Sequence, residues 1–113
     1  MKPYGFSRSS ASYRARIALN LKGLEYEYAS VNLLKDETLG EEYRRINPQA
    51  IVPVLEDNGL IIPQSIAICE YLEERFPSPA ILPRDPAGRA RVRAITLNIA
   101  CEIHPLANRR TQL

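Results

Sequence analysis

Residues 47–76 read NPQAIVPVLEDNGLIIPQSIAICEYLEERF. Two apolar runs, 52–56 and 60–62, flank Asp57-Asn58-Gly59. Asn-Gly between apolar runs suits a tight turn whose central residues need positive φ, so the segment reads as a β-hairpin. Pro63-Gln64-Ser65 breaks the second strand, and Ile66, Cys69, Leu72 and Phe76 then recur at helical spacing until Pro77. On the other side, Asn47-Pro48 closes whatever precedes it, because proline lacks an amide hydrogen and restrains the residue before it.

Further upstream, 37–45 is polar with Leu39, Tyr43 and Ile46 on one side, which predicts a short helix. Residues 26–33 (YEYASVNL) alternate tyrosines and aliphatics with polar residues, the pattern of a half-buried strand. Before that, Tyr13, Ile17 and Leu21 fall at i, i+4 and i+8 on one helix face that stops near Gly23. The serines of Ser7-Arg8-Ser9-Ser10 open this helix, and residues 2–6 form a short strand ahead of it. The order is strand–helix–strand, then helix–hairpin–helix. One parallel and one antiparallel unit around a small sheet make an α/β domain.

Downstream, PSPAILPRDPA (77–87) holds four prolines in eleven positions and reads as a linker. The expected organisation is a domain over 1–77, a linker over 78–86, and a helix within 87–113. From about 86 to 106 the pattern is helical, with Val92, Ile95, Ile99 and Ile103 spaced by three and four. A stripe of that kind must be buried against something. The simplest account is that the sequence is a piece of a longer chain, or that another chain covers the stripe.

With 113 residues, 45% hydrophobic and 25% charged, the chain has room for one small globular domain and little more. It shows no apolar run of the roughly 20 residues needed to span a bilayer, and no signal-peptide pattern. Cys69 and Cys101 stand far apart and make neither a CxxC motif nor a metal-ligand cluster, which disfavours a disulfide scaffold, a zinc finger and a dithiol redox enzyme. A reducing, cytoplasmic setting and no metal are expected. Residues 1–77 carry nine Lys/Arg against eleven Asp/Glu, whereas 78–113 carry six arginines against Asp85 and Glu102. The basic arm lacks interleaved aromatics and suits a solvated helix face, so neither nucleic acid nor membrane is an expected partner.

Chemistry concentrates in SRSSASYRAR (7–16), a serine-rich loop entering a helix. Helix N-termini expose unpaired amides and a positive dipole end, which stabilise an anion or thiolate. The same serines also serve as caps and turn formers. Residues 8–19, RSSASYRARIAL, resemble the SSC-aromatic-RVRIAL signature of zeta-class glutathione transferases, the maleylacetoacetate isomerases. The resemblance continues through Asn47-Pro48-Gln49, Val52-Pro53, Gln64-Ser65-Ile66-Ala67-Ile68, Glu70-Tyr71-Leu72-Glu73-Glu74, Leu82-Pro83 and Ile103-His104-Pro105-Leu106-Ala107-Asn108.

That resemblance implies a thioredoxin-like N-terminal domain (βαβ-αββα) followed by the start of an all-α domain, with glutathione as cofactor. It implies Ser9 and Ser10 as the catalytic serines facing the glutathione sulfur. Val52, before a cis Pro53, would pair with the cysteinyl part, and Gln64 and Ser65 would take the γ-glutamyl carboxylate. His104 and Asn108 would complete the glutathione site, and Arg14 and Arg16 are candidates for meeting a dicarboxylate substrate. The implied reaction is cis–trans isomerisation of a maleyl-acid substrate of the maleylacetoacetate type, in the breakdown of aromatic amino acids, by a homodimer. The alternatives are a transferase that conjugates small electrophiles and a non-catalytic thioredoxin-like binding module. One departure stands out, since Ala11 occupies the position of the family's cysteine. Cys69 reads as core packing, and Cys101 has no assigned role.

Overall fold

The computed structural model describes residues 1–32 and 35–103, the side chains of 102 and 103 excepted. Two compact units result, Met1–Pro79 and Ala80–Leu113. The first holds β1 (Lys2–Gly5), α1 (Ser10–Leu21), β2 (Ala29–Ser30), a 3-10 turn (Glu37–Leu39), α2 (Glu41–Ile46), β3 (Val54–Asp57), β4 (Leu60–Pro63) and α3 (Ser65–Arg75). The sheet order is β2-β1-β3-β4, with β1 parallel to β2 and antiparallel to β3, and β3 antiparallel to β4. This mixed sheet with its helices is the α/β arrangement expected from the sequence, and it matches the thioredoxin-like domain.

The hairpin forms where Asn-Gly places it. Asn58 and Gly59 have φ of 50° and 85°, the positive pair that a two-residue hairpin turn requires. Strand alternation then divides the core. Val54 packs with Val31, Val52 and Tyr43 of α2, joined by Tyr4, Phe6 and Ile46. Leu55 points to the opposite face. Leu19, Leu55, Ile68 and Leu72 are fully buried. Each such side chain contributes about 1.5–3 kcal/mol of transfer free energy.

Helix α1 corrects the sequence reading. Its apolar stripe does not face the sheet: Tyr13 is 56% exposed, Ile17 41% and Leu21 60%. The buried face consists of Ser12, Ala15, Ala18 and Leu19, with Lys22 just beyond the helix end. The reason is close approach to β1. A Cβ on Gly5 would lie 3.1 Å from the Cβ and Oγ of Ser12 and 3.2 Å from the Tyr28 hydroxyl. Only small side chains fit beneath the helix at that end. Gly5→Ala is accordingly expected to cost about 1–3 kcal/mol by overpacking. A urea titration showing unchanged stability would contradict this packing.

Other elements are shorter than their patterns suggest. The strand expected over 26–33 reduces to Ala29–Ser30, held by Val31 N–H donating to the Gly5 carbonyl at 2.7 Å. The helix expected over 37–45 splits at Gly40 into the 3-10 turn and α2, leaving Tyr43 buried and Leu39 exposed. Burial pushes the Tyr43 phenol up to about 12, and its hydroxyl donates to the Ile51 carbonyl at 2.6 Å. Beyond the hairpin, Tyr71 of α3 donates to Asp57 Oδ2 at 2.5 Å, a bond that raises the phenol above its ordinary range.

The least expected interior group is a charge. Lys22, which caps the C-terminus of α1, is buried against Glu73 of α3 in an ion pair. Its ammonium also donates to the carbonyls of Phe76 at 2.7 Å and Pro79 at 2.6 Å. All three ammonium hydrogens therefore have acceptors.

In the second unit, α4 (Pro86–Leu97) starts at Asp85, whose Oδ2 accepts from Gly88 N–H at 2.7 Å, with Pro86 in the first turn. A π-helical segment, Asn98–Ile103, comes next where the sequence predicts a helix continuing to 106. Ile95 and Ile99 of the expected stripe are exposed, and Val92 is half-buried. No helix among the described residues is long and apolar enough to cross a membrane.

Candidate functional site

Strand register brings three separate stretches to one end of the sheet. Tyr4 lies opposite Val54, and Val54 opposite Pro63. The chain therefore leaves β1, enters β3 and leaves β4 at the same edge. The stretches that meet there are the serine loop with the N-terminus of α1, the Val52–Pro53 pair, and Gln64–Ser65 at the N-terminus of α3.

The serine loop is closed by its own hydrogen bonds. Ser9 N–H donates to the Phe6 carbonyl at 2.9 Å, and Phe6 N–H donates to Ser12 Oγ at 3.2 Å. Ser9 is the N-cap of α1, its Oγ accepting from Ser12 N–H at 3.1 Å. A hydroxyl has one hydrogen and two lone pairs, so this cap leaves the Ser9 hydrogen able to donate. Ser10 is exposed on the first turn, with Ala11 half-buried beside it. The capping role therefore leaves room for a donor role at Ser9.

The Val52–Pro53 peptide is cis, as the resemblance implies. Both residues are buried, and Val52 stands just outside the ladder that begins at Val54. The loop before it is organised by Asn47, only 2% exposed. Asn47 Oδ1 accepts from Gln49 N–H at 3.1 Å, and its Nδ2 donates to the Ile51 carbonyl at 2.9 Å.

Gln64 occupies the N-cap of α3 with φ of 74° and ψ of 122°. Its side chain makes no cap bond and instead donates through Nε2 to Gln49 Oε1 at 3.2 Å. Ser65, the first residue of α3, is buried. Neither α1 nor α3 carries an acidic residue in its first turn. Two helix N-termini with no acidic residue in the first turn, together with hydroxyls and side-chain amides, form a donor set suited to an anionic ligand.

The two candidate arginines lie further along α1. Arg16 lies along α1, about 9 Å from Ser10 at 1.5 Å per residue. Its guanidinium stacks over the rings of Tyr28 at 5.2 Å and Tyr13 at 5.9 Å. Arg14 is half-buried on the same helix and lowers the Cys69 thiol, though burial is the stronger influence and drives that thiol up. Cys69 is thus a poor nucleophile. Cys101 is exposed. His104 and Asn108 lie outside the described residues.

Three residues that matter to this geometry carried no assigned role in the sequence: Ser12, Asn47 and Gln49. Asn47 had one usable signal, a polar side chain directly before proline, where Asx-type bonding to the backbone just beyond is favoured. Ser12 and Gln49 act through partners that only the fold supplies.

Comparison with known proteins bears on the fold and the family. The model of the glutathione S-transferase N-terminal domain matches residues 4–80. A maleylpyruvate isomerase from a Ralstonia species is 52% identical over 110 residues, covering 97% of this chain and 52% of that protein. The holo structure of a maleylpyruvate isomerase, a bacterial zeta-class glutathione S-transferase, matches with a TM-score of 0.96 at 51% identity, covering 99% of this chain and 53% of that one. The maleylacetoacetate isomerase of Methylobacterium extorquens AM1, solved with malonate and glutathione bound, gives a TM-score of 0.94 at 43% identity, covering 98% and 52%. The chain thus spans about half the length of the relatives it matches. With the fold and the family model in agreement over most of its length, the chain belongs to the glutathione S-transferases.

Proposed function

We propose that this chain is the glutathione-binding part of a zeta-type isomerase acting on maleyl-acid substrates such as maleylacetoacetate or maleylpyruvate. The observation that carries the reading is the meeting of the serine loop, Val52 and Gln64–Ser65 at one sheet end, with the N-termini of α1 and α3 free of acidic residues. Relatives named for this isomerisation share about half of the chain's residues.

Bound glutathione supplies a thiolate that adds to a conjugated cis double bond and leaves after rotation about the bond that has become single. Ser9 and Ser10 donate toward the sulfur position, where the dipole of α1 favours negative charge. Val52 offers backbone groups outside the ladder for the cysteinyl part. Gln64, Ser65 and the amides of α3 receive the γ-glutamyl carboxylate. By resemblance His104 and Asn108 also serve glutathione, and the organisation that the resemblance supports is a domain over 1–77, a linker over 78–86 and the start of a helical domain over 87–113. Arg14 and Arg16 are the candidates for a dicarboxylate, and the Arg16 guanidinium stacks on two tyrosines. A homodimer in the cytoplasm is the expected setting. Ala11 at the position of the family's cysteine supports, as a second reading, a transferase that conjugates electrophiles instead.

Ser65→Ala tests the site directly. Losing a hydrogen bond to a charged group costs about 1.5–3 kcal/mol, so glutathione affinity measured by calorimetry is expected to fall by at least tenfold. Unchanged affinity would remove Ser65 from the site.

A further inference from the structure

We propose that Gln49 is a positioning residue for glutathione, acting as a strap that fixes the side chain of Gln64 from the neighbouring loop. The inference rests on the glutathione site proposed above and adds to it a residue with no contact of its own to the ligand. Gln64 is the N-cap of α3, yet its side chain does not cap the helix. It crosses to the loop before β3 and donates to Gln49 Oε1 at 3.2 Å. Its backbone φ of 74° is one that residues other than glycine rarely adopt, which sets the direction in which the side chain leaves the helix.

Gln49 is itself anchored from behind. Buried Asn47 accepts from the Gln49 amide, and the turn is closed by Ala50 N–H donating to the Asn47 carbonyl at 3.0 Å. The far side of the same loop is held at the Ile51 carbonyl by Asn47 Nδ2 and by the Tyr43 hydroxyl of α2. A rigid line thus runs from α2 through Asn47 to Gln49 and ends on Gln64. Both Gln49 and Gln64 are exposed, so the fold does not need this bond for its core. Its use lies in ordering a long, rotamer-rich side chain before the ligand arrives. One bond spent on Gln49 leaves Gln64 with a second amide hydrogen and its carbonyl oxygen for recognition.

A double-mutant cycle tests this with glutathione as the probe, titrated into the chain and followed by NMR. Gln49→Met keeps the length of the side chain and removes the acceptor. It is expected to weaken glutathione about threefold to tenfold, the range for ordering one such side chain. In a Gln64→Ala background the same substitution should change affinity by less than about twofold, because the group being ordered is gone. A merely structural role for Gln49 would weaken binding equally in both backgrounds and overturn the proposal. So would equal affinity of Gln49→Met and the parent. Ser65→Ala in the same titration separates the strap from the site it serves. If Ser65→Ala weakens glutathione while Gln49→Met does not, only the role of Gln49 falls; if the parent does not bind glutathione, both readings fall.

Discussion

Replacing Glu73 by alanine is expected to remove about 3–5 kcal/mol of stability, the cost of stranding a buried charge without its counter-ion. Lys22 has no exit to solvent: its side chain is fully buried, and its ammonium is bounded by Glu73, the Phe76 carbonyl and the Pro79 carbonyl. The two carbonyls supply dipoles but no compensating charge. A small domain has only about 5–15 kcal/mol in total, so this one substitution consumes a large fraction of it. The double substitution Lys22→Met with Glu73→Leu should recover much of the loss, because a buried pair exchanged for apolar groups of similar size is often neutral. Urea unfolding reads both variants, with the midpoint moving and the slope unchanged. A Glu73→Ala midpoint within error of the parent would show that the ammonium reaches water.

The second large effect concerns the serines. With a donor to a developing anion removed, rates typically fall about 100-fold or more, and in the proposed full-length isomerase Ser9→Ala or Ser10→Ala is expected to show a loss of that order with maleylacetoacetate and glutathione. The two serines can be told apart. Ser9 also caps α1, so Ser9→Ala should additionally lose about 1 kcal/mol of stability, whereas Ser10 caps nothing. Ultraviolet absorbance of the glutathione thiolate gives a readout that stability does not move. Ala11→Cys should have the smaller effect, because the attacking sulfur belongs to glutathione and no protein thiol is formally needed. Full rate and full thiolate in both serine variants, with a many-fold gain in Ala11→Cys, would reverse these roles.

The features legible in the sequence were local or inherited. The hairpin could be read because Asn58 and Gly59 satisfy a turn requirement between themselves, with no help from the rest of the fold. The serine loop and the Val-Pro and Gln-Ser pairs could be read by resemblance. The packing face of α1 could not. A period of 3.6 in Tyr13, Ile17 and Leu21 marks a helix, but the sheet takes its small-residue side because Gly5 leaves room for nothing larger than Ser12. Lys22 was equally opaque, since hydropathy assigns lysine to water and its three acceptors lie more than 50 residues away along the chain. Gln49 depends on a partner 15 residues on, whose side chain is turned by an unusual backbone angle. These cases share one cause: the deciding contact is made in three dimensions between different elements, and the periodicity of a single segment does not encode it.

The sheet order has a consequence for how the molecule assembles. β3, β4 and α3 are consecutive, and their mutual pairing closes only short loops. β1 instead inserts between β2 and β3, joining residues about 50 positions apart, as in Lys2 opposite Glu56. Closing so long a loop carries the larger entropic cost, so seating of the central strand is expected to follow pairing of the hairpin with α3. The anion-receiving end of the sheet exists only once that strand is seated, because half of its donors ride in on the loop that β1 carries. A fluctuation that frees the first ten residues is thus expected to weaken binding at the proposed site, since the serine loop leaves with β1. Ligand binding draws on the same equilibrium in reverse, holding the N-terminal strand in place by mass action.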